Sequence, residues 1–240
     1  MIEISTPDGQ VEAYRTGDET APGVLFFIDA IGLRPQIHSM CDRIAGWGYS
    51  VLAPNVLFRS GRVDEVRPDG PLDTDDKRAA FFKHAMPRVA ALTPERAERD
   101  IPAYVAALRE HAAPGPIGTT GYCMGARLAV RAAGLDPTVA ACGGFHGGGL
   151  ATEDGDSPHT RIATSEAAFV FGHADGDRSM PPEQVERLED ALVAADRPHT
   201  NRIYPGAAHG YTMADTTMYD EASAERHFTE LRALLDDRLR

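Results

Sequence analysis

Short continuous apolar runs alternate with amphipathic stretches along this chain, and that alternation predicts strands interleaved with helices. Val24–Ala30 (VLFFIDA) is such a run, bounded by Pro22-Gly23 and Gly32, as expected of a strand covered on both faces. Ile37, Met40, Cys41 and Ile44 then recur at helical spacing and predict a helix over Pro35–Trp47. Ser50–Val56 reads as a second strand, and the polar stretch Arg62–Asp76, with no apolar period, as a long surface loop that is either a lid or decoration. Thr93-Pro94-Glu95 supplies an N-cap, a first-turn proline and an early acid ahead of Ile101, Val105 and Leu108, so a helix ending near His111 follows. Pro116–Tyr122 predicts a strand and Met124–Gly134 a helix. Thr138–Phe145, Ala167–Gly172 and Thr200–Tyr204 read as strands, with helices over Pro181–Ala195 and Ala222–Leu239. Such an order implies an α/β architecture, a mainly parallel sheet with helices on both faces, whose sites lie at the carboxyl ends of strands.

At 240 residues with no break in composition, residues 1–240 read as one domain. The formal charge of -12 disfavours nucleic acid and anionic membranes as partners. The start, MIEISTPDGQ, lacks a basic region followed by an apolar run, and no long apolar stretch follows, so a cytoplasmic location is expected. Cys41, Cys123 and Cys142 are too few and too scattered for a disulfide framework or a zinc site, which leaves a reduced Cys123 available. The glycine-rich Gly143–Gly149 lacks phosphate-loop spacing and reads as a flexible loop; His146, His173, Asp175 and Asp177 show no recognised metal-ligand spacing. Neither a metal nor an organic cofactor is expected.

Gly121-Tyr122-Cys123-Met124-Gly125 carries the most chemistry. It places a cysteine at the centre of a G-x-nucleophile-x-G elbow, between a strand and a helix, with glycines where neighbouring backbone must approach closely. Two later segments complete a constellation. Phe169–Asp175 is a strand running into Gly172-His-Ala-Asp175, and Ile203–Gly210 is a strand running into a glycine-flanked His209. Nucleophile, acid and histidine in that order, each after a strand, make Cys123, Asp175 and His209 the candidate triad.

On these residues, with Gly206-Ala-Ala-His-Gly210, the chain resembles the dienelactone hydrolase family of the α/β-hydrolase superfamily, from Val24 to the C-terminal helix. The resemblance implies an α/β-hydrolase fold and hydrolysis of a small-molecule ester or lactone through an acyl-cysteine. Cys123 would be the nucleophile, Asp175 the acid and His209 the base, with backbone N–H groups of Ala30 and Met124 as the oxyanion hole. Activated enol or aryl esters would be favoured, because a tetrahedral intermediate expels a thiolate more readily than an alkoxide. An acyltransferase or thioesterase on the same triad, and a catalytically silent small-molecule binder, are the alternatives.

The sequence departs from the family in two places. Asp29 stands where the family has a glutamate against the resting nucleophile, and Met213 where it has an arginine four residues after the histidine. Arg78 either corresponds to a further family arginine, from the loop region before the middle helices, or is a solvated helix residue. Tyr211 and Met213 either line the pocket or pack beneath the loop. Tyr122 is a further pocket candidate, and Phe81 and Phe82 admit the same two readings, with core packing favoured.

Overall fold

A computed structural model describes residues 1–240. Its centre is one eight-stranded sheet: β1 (Ile2–Thr6), β2 (Gly9–Thr16), β3 (Gly23–Phe27), β4 (Ser50–Pro54), β5 (Ile117–Tyr122), β6 (Val139–Phe145), β7 (Ala168–Ala174) and β8 (His199–Tyr204). The strand order is β1-β2-β4-β3-β5-β6-β7-β8. From β4 to β8 all neighbours are parallel, while β1 pairs antiparallel with β2 and β2 with β4. The expected mainly parallel sheet is therefore present, with an N-terminal hairpin on one edge that the apolar pattern does not announce.

The helices are α1 (Pro35–Ala45), α2 (Val63–Val66), α3 (Asp75–Ala91), α4 (Pro94–Arg109), α5 (Met124–Leu135), α6 (Pro182–Ala194) and α7 (Glu221–Leu239). The central strands β3, β4, β5 and β7 are buried along their full length. Two covered faces explain why those strands read as uninterrupted apolar or small-residue runs. Tyr122 and Phe145 of the sheet pack their rings against His227 of α7, and Trp47 meets Phe228 of the same helix edge to face. No helix is long and apolar enough to cross a membrane.

The segment 62–76 departs from its reading as a plain loop. It contains the single turn of α2 and leads directly into α3, and Leu72 bridges to Thr216 while its amide donates to the Asp215 carbonyl. Only Ala85 and Val89 of α3 are buried, so the helix has almost no apolar stripe to betray it. Its N-cap is explicit all the same: Thr74 accepts from the Lys77 amide. With this segment in place, α3 lies across the carboxyl edge of the sheet, where the loops carrying Cys123, His146, Asp177 and His209 converge.

Candidate active site

Cys123 sits between β5 and α5 at φ 55°, ψ -118°, a conformation that costs a non-glycine residue about 1–3 kcal/mol and persists only when the surroundings enforce it. The enforcement comes from packing. A Cβ on Gly121 would collide with the Gly125 carbonyl, and one on Gly125 with the carbonyls of Phe27 and Ile28. Only glycine at both positions lets the turn close against β3. The Cys123 amide donates to the Phe145 carbonyl at 3.1 Å, which locks the turn to the neighbouring strand end.

His209 faces Cys123 from the loop after β8, and its Nδ1 lies 2.6 Å from Asp177 Oδ2. This corrects the expected acid. Asp175, the first residue beyond β7, turns sideways: its carboxylate accepts from the Gly206 amide at 2.8 Å and its own amide donates to the Ala207 carbonyl at 2.7 Å. It staples the two loops together instead of touching His209. Gly176, at φ +61°, then reverses the chain and delivers Asp177 to the histidine. Ser179 fixes the other carboxylate oxygen, donating to Asp177 Oδ1 from Oγ at 2.7 Å and from its amide at 2.8 Å. Two aspartates two residues apart in one turn were the available signal, and sequence order alone does not distinguish them.

The electrostatics couple the three groups. Burial alone would raise the Cys123 thiol, but the charge of His209 and a hydrogen bond with it outweigh burial and lower it. Burial opposes charge on His209 as well, yet the Cys123 thiolate and Asp177 together raise its imidazole well above the ordinary range. For Asp177, burial is overcome by His209 and Ser179, which hold the carboxyl down at about 2. Cys142, with no such partner, is pushed up to about 12 by burial. For each of Cys123, His209 and Asp177 the direction favours the charged form of the group.

A narrow cavity of about 30 Å³ opens on Cys123 and His209, lined also by Ala30, Arg78, Phe82, His146 and Met213. The amides of Ala30 and Met124 have no hydrogen-bond acceptor in the protein, as an oxyanion hole requires. Met213 is buried and lines the cavity. Arg78, on α3, also lines it, its guanidinium 5.2 Å over the Phe82 ring with no carboxylate partner. Phe81 and Phe82 meet edge to face at 5.8 Å, and Phe82 both packs against the core and forms part of the cavity wall.

Two pocket expectations are corrected, those for Tyr122 and Tyr211. Tyr122 is wholly buried beneath the elbow, stacked on Phe26 and Phe145 with its hydroxyl 3.3 Å from His227 Nε2, because it is the last residue of β5 and points away from Cys123 into the layer under α7. Tyr211 also packs beneath the loop, its hydroxyl donating to the Gly172 carbonyl at 3.1 Å. Asp29 lines the cavity, yet its carboxylate is committed to Arg34 at 2.7 and 3.1 Å and to the Ile31 amide at 3.1 Å. Arg34, itself buried, reaches on to Asp215 at 2.6 and 3.0 Å and places Nη2 3.3 Å from the Met213 sulfur. Burial disfavours the guanidinium charge, but Asp29 and Asp215 more than restore it. One side chain thus ties the loop of Ala30 to the loop that follows His209.

The sequence names His146 only among residues without metal-ligand spacing and does not place it beside His209. His146 is completely buried at φ 38°, with Nε2 2.8 Å from Thr212 Oγ1 and its ring edge-on to His209 at a centroid distance of 5.3 Å. Burial keeps it neutral, its imidazole well below the ordinary value. The glycines around it serve close packing, since a Cβ on Gly147 would strike Ala126 and one on Gly148 would strike Ser179. No group of three His, Cys, Asp or Glu side chains is placed to share a metal ion.

The model of the dienelactone hydrolase family matches residues 11–238. The chain belongs to the dienelactone hydrolase family. Among its relatives, a Salmonella typhi protein named provisionally as a carboxymethylenebutenolidase is 27% identical over 245 residues, covering 92% of this chain and 86% of that one. The carboxymethylenebutenolidase of Rhodococcus opacus is 24% identical over 206 residues, covering 85% and 75%. A crystal structure from Klebsiella pneumoniae, described provisionally as a dienelactone hydrolase, superposes with a TM-score of 0.79 over 98% of this chain and 97% of that one, at 23% identity. The α/β-hydrolase fold of this dienelactone hydrolase family member is thereby established.

Proposed function

We propose that this protein hydrolyses carboxylic esters or lactones through an acyl-cysteine intermediate, with Cys123 as nucleophile, His209 as acid and base, and Asp177 as the group that orients His209. The observation that carries the reading is the 2.6 Å contact between His209 and Asp177 beside a cysteine held in a strained elbow. The Cys123 thiolate attacks the substrate carbonyl, forming the C–S bond, and the oxygen takes the negative charge facing the amides of Ala30 and Met124. Collapse breaks the C–O bond to the leaving group, which takes its proton from His209. Water then gives a proton to His209 and attacks the thioester, the C–S bond breaks, and the carboxylic acid leaves with Cys123 restored. Asp177 stays ionised throughout, holding Nδ1 so that Nε2 faces the reaction.

A cysteine nucleophile sets the substrate class. The first tetrahedral intermediate partitions forward only when its oxygen leaving group competes with the thiolate, so enol and aryl esters are preferred over alkyl esters. The names of the relatives point to a butenolide, a cyclic enol ester, which meets that condition. The cavity wall of Phe82, Met213 and Ile31 suits a small unsaturated ring, and the unpaired Arg78 offers a cation at its edge. The test is hydrolysis of an aryl acetate and an enol lactone by the wild type and by Cys123→Ala, with mass spectrometry to trap the acyl-enzyme. Loss of both activities in the variant is expected, with an acyl adduct on Cys123 in the wild type. Equal rates in the two proteins would refute the assignment.

A further inference from the structure

A second cleft, about 170 Å³, lies against the first two turns of α5, between Met124 and Leu128 on one side and the loop Gly149–Pro158 on the other. Arg127 and Arg131 line it. The two arginines are provisioned differently. Arg131 pairs with Glu98 Oε1 at 2.7 Å and donates to the Asp156 carbonyl, and Arg161 also takes Glu98, with Nε 2.8 Å from Oε1. Glu98 is thus used up by two guanidiniums. Arg127 has no carboxylate or carbonyl partner, and its Nε is buried without an acceptor. A partly buried guanidinium left this way forfeits hydrogen bonds that water or a ligand must supply.

Its surroundings confirm the imbalance. Burial and the nearby Arg131 both disfavour charge on Arg127, and the opposing charge that favours it is the Cys123 thiolate. Asp154 and Asp156 stand at the mouth of the cleft, both exposed, and neither pairs with Arg127; Asp154 instead accepts from Thr152 Oγ1 at 2.9 Å. Arg127 follows Cys123 by four residues, one helical turn or about 6 Å of rise. The cleft therefore presents a forked, unpaired cation one turn from the nucleophile, outside the cavity that holds the triad.

We propose that this cleft is an oxyanion-binding site in which Arg127 receives a carboxylate or phosphate group. A planar guanidinium matches either anion with two parallel hydrogen bonds. The anion has two sources: a distal acidic group on the ester itself, which rests on the hydrolase reading above, or a free anion that occupies the cleft independently of turnover.

Two measurements on the intact protein decide the matter. In the first, thermal unfolding of wild type, Arg127→Met and Arg127→Lys is followed with increasing inorganic phosphate and with succinate. A saturable rise in Tm that is lost in Arg127→Met supports the site. In the second, kcat/KM is compared for a neutral aryl butyrate and an aryl succinate monoester, whose free carboxylate extends from the acyl group. A fall of about tenfold or more in the acidic-to-neutral ratio on Arg127→Met assigns the anion to the substrate, the size expected for losing a hydrogen-bonded charge pair. An unchanged ratio with a lost phosphate shift assigns it to a free anion. Identical phosphate shifts and identical ratios in wild type and variant overturn the proposal. If the wild type hydrolyses neither ester, the hydrolase reading fails, and the unfolding series still decides the anion site.

Discussion

Replacing Asp177 by Asn separates the observed acid from its neighbour two residues earlier. Asp177 carries the 2.6 Å contact to His209, while Asp175 accepts only from the Gly206 amide at 2.8 Å. Asn at 177 removes the charge that holds the imidazolium and presents a neutral amide to Nδ1. The loss expected in kcat/KM for an aryl acetate is roughly 10²- to 10⁴-fold, the range of a general acid–base contribution, or about 3–5 kcal/mol in transition-state stabilisation. Asp175→Asn keeps an oxygen able to accept from Gly206, so its kcat/KM should stay within about threefold of wild type. Stability tells the same story at smaller scale. The Asp177 carboxyl is held at about 2, below its ordinary 3.8, so its contribution is complete above the unfolded value and is lost as pH falls through the folded one. The shift corresponds to roughly 2 kcal/mol, reduced to about 1 kcal/mol for a carboxylate that retains some solvent contact. Urea unfolding at pH 7 and at pH 3 should therefore show wild type and Asp177→Asn converging as the solution is acidified. A greater loss of activity in Asp175→Asn than in Asp177→Asn would refute the assignment.

Further outcomes follow from the same geometry. Because His209 lowers the Cys123 thiol, iodoacetamide should alkylate Cys123 at pH 6 at least about tenfold faster than a free thiol of pKa about 8.5, and His209→Gln should abolish that advantage. The lowered thiol contributes stability that is complete above its unfolded value of about 8.5 and is lost as pH falls through the folded Cys123 value, whereas the raised imidazole contributes stability that is complete below about 6.5 and is lost as pH rises through the folded His209 value. Arg34→Met strands the buried Asp29 carboxylate and should cost about 3–5 kcal/mol in denaturant unfolding, with part recovered by adding Asp29→Leu. Tyr122→Phe should leave KM for aryl acetates unchanged, since the ring lies under the elbow and not in the cavity; a KM shift of more than about threefold would contradict its placement. Gly125→Ala should yield little folded protein, as its methyl would enter the carbonyls that end β3.

The parallel core was legible because strands covered on both faces must be apolar throughout, and Val24–Phe27 and Ala168–Phe171 are. The elbow was legible because its two glycines answer a steric demand at fixed spacing. The less legible parts carry weaker one-dimensional signals. The β1–β2 hairpin lies at the sheet edge, where Glu3 and Glu12 alternate with the buried Ile4, Val11 and Ala13 in short strands that form no continuous apolar run. The helix α3 buries only Ala85 and Val89 and so lacks a stripe, although it carries Arg78 and Phe82 into the site. Asp175 and Asp177 differ only in what a single left-handed glycine between them does to the chain direction. His146 was masked by its glycines, which read as flexibility and turn out to be close contacts.

The Arg34 network also bears on when the site can exist. Arg34 and Asp215 are 181 positions apart, so the guanidinium that shapes the Ala30 loop has only Asp29 for a carboxylate partner until residue 215 has left the ribosome. A nascent chain ending before residue 215 would carry β3, α1 and the elbow, yet hold a buried cation half neutralised. The loop of Ala30 and the loop that follows His209 are consequently joined through Arg34 only after residue 215 has been made.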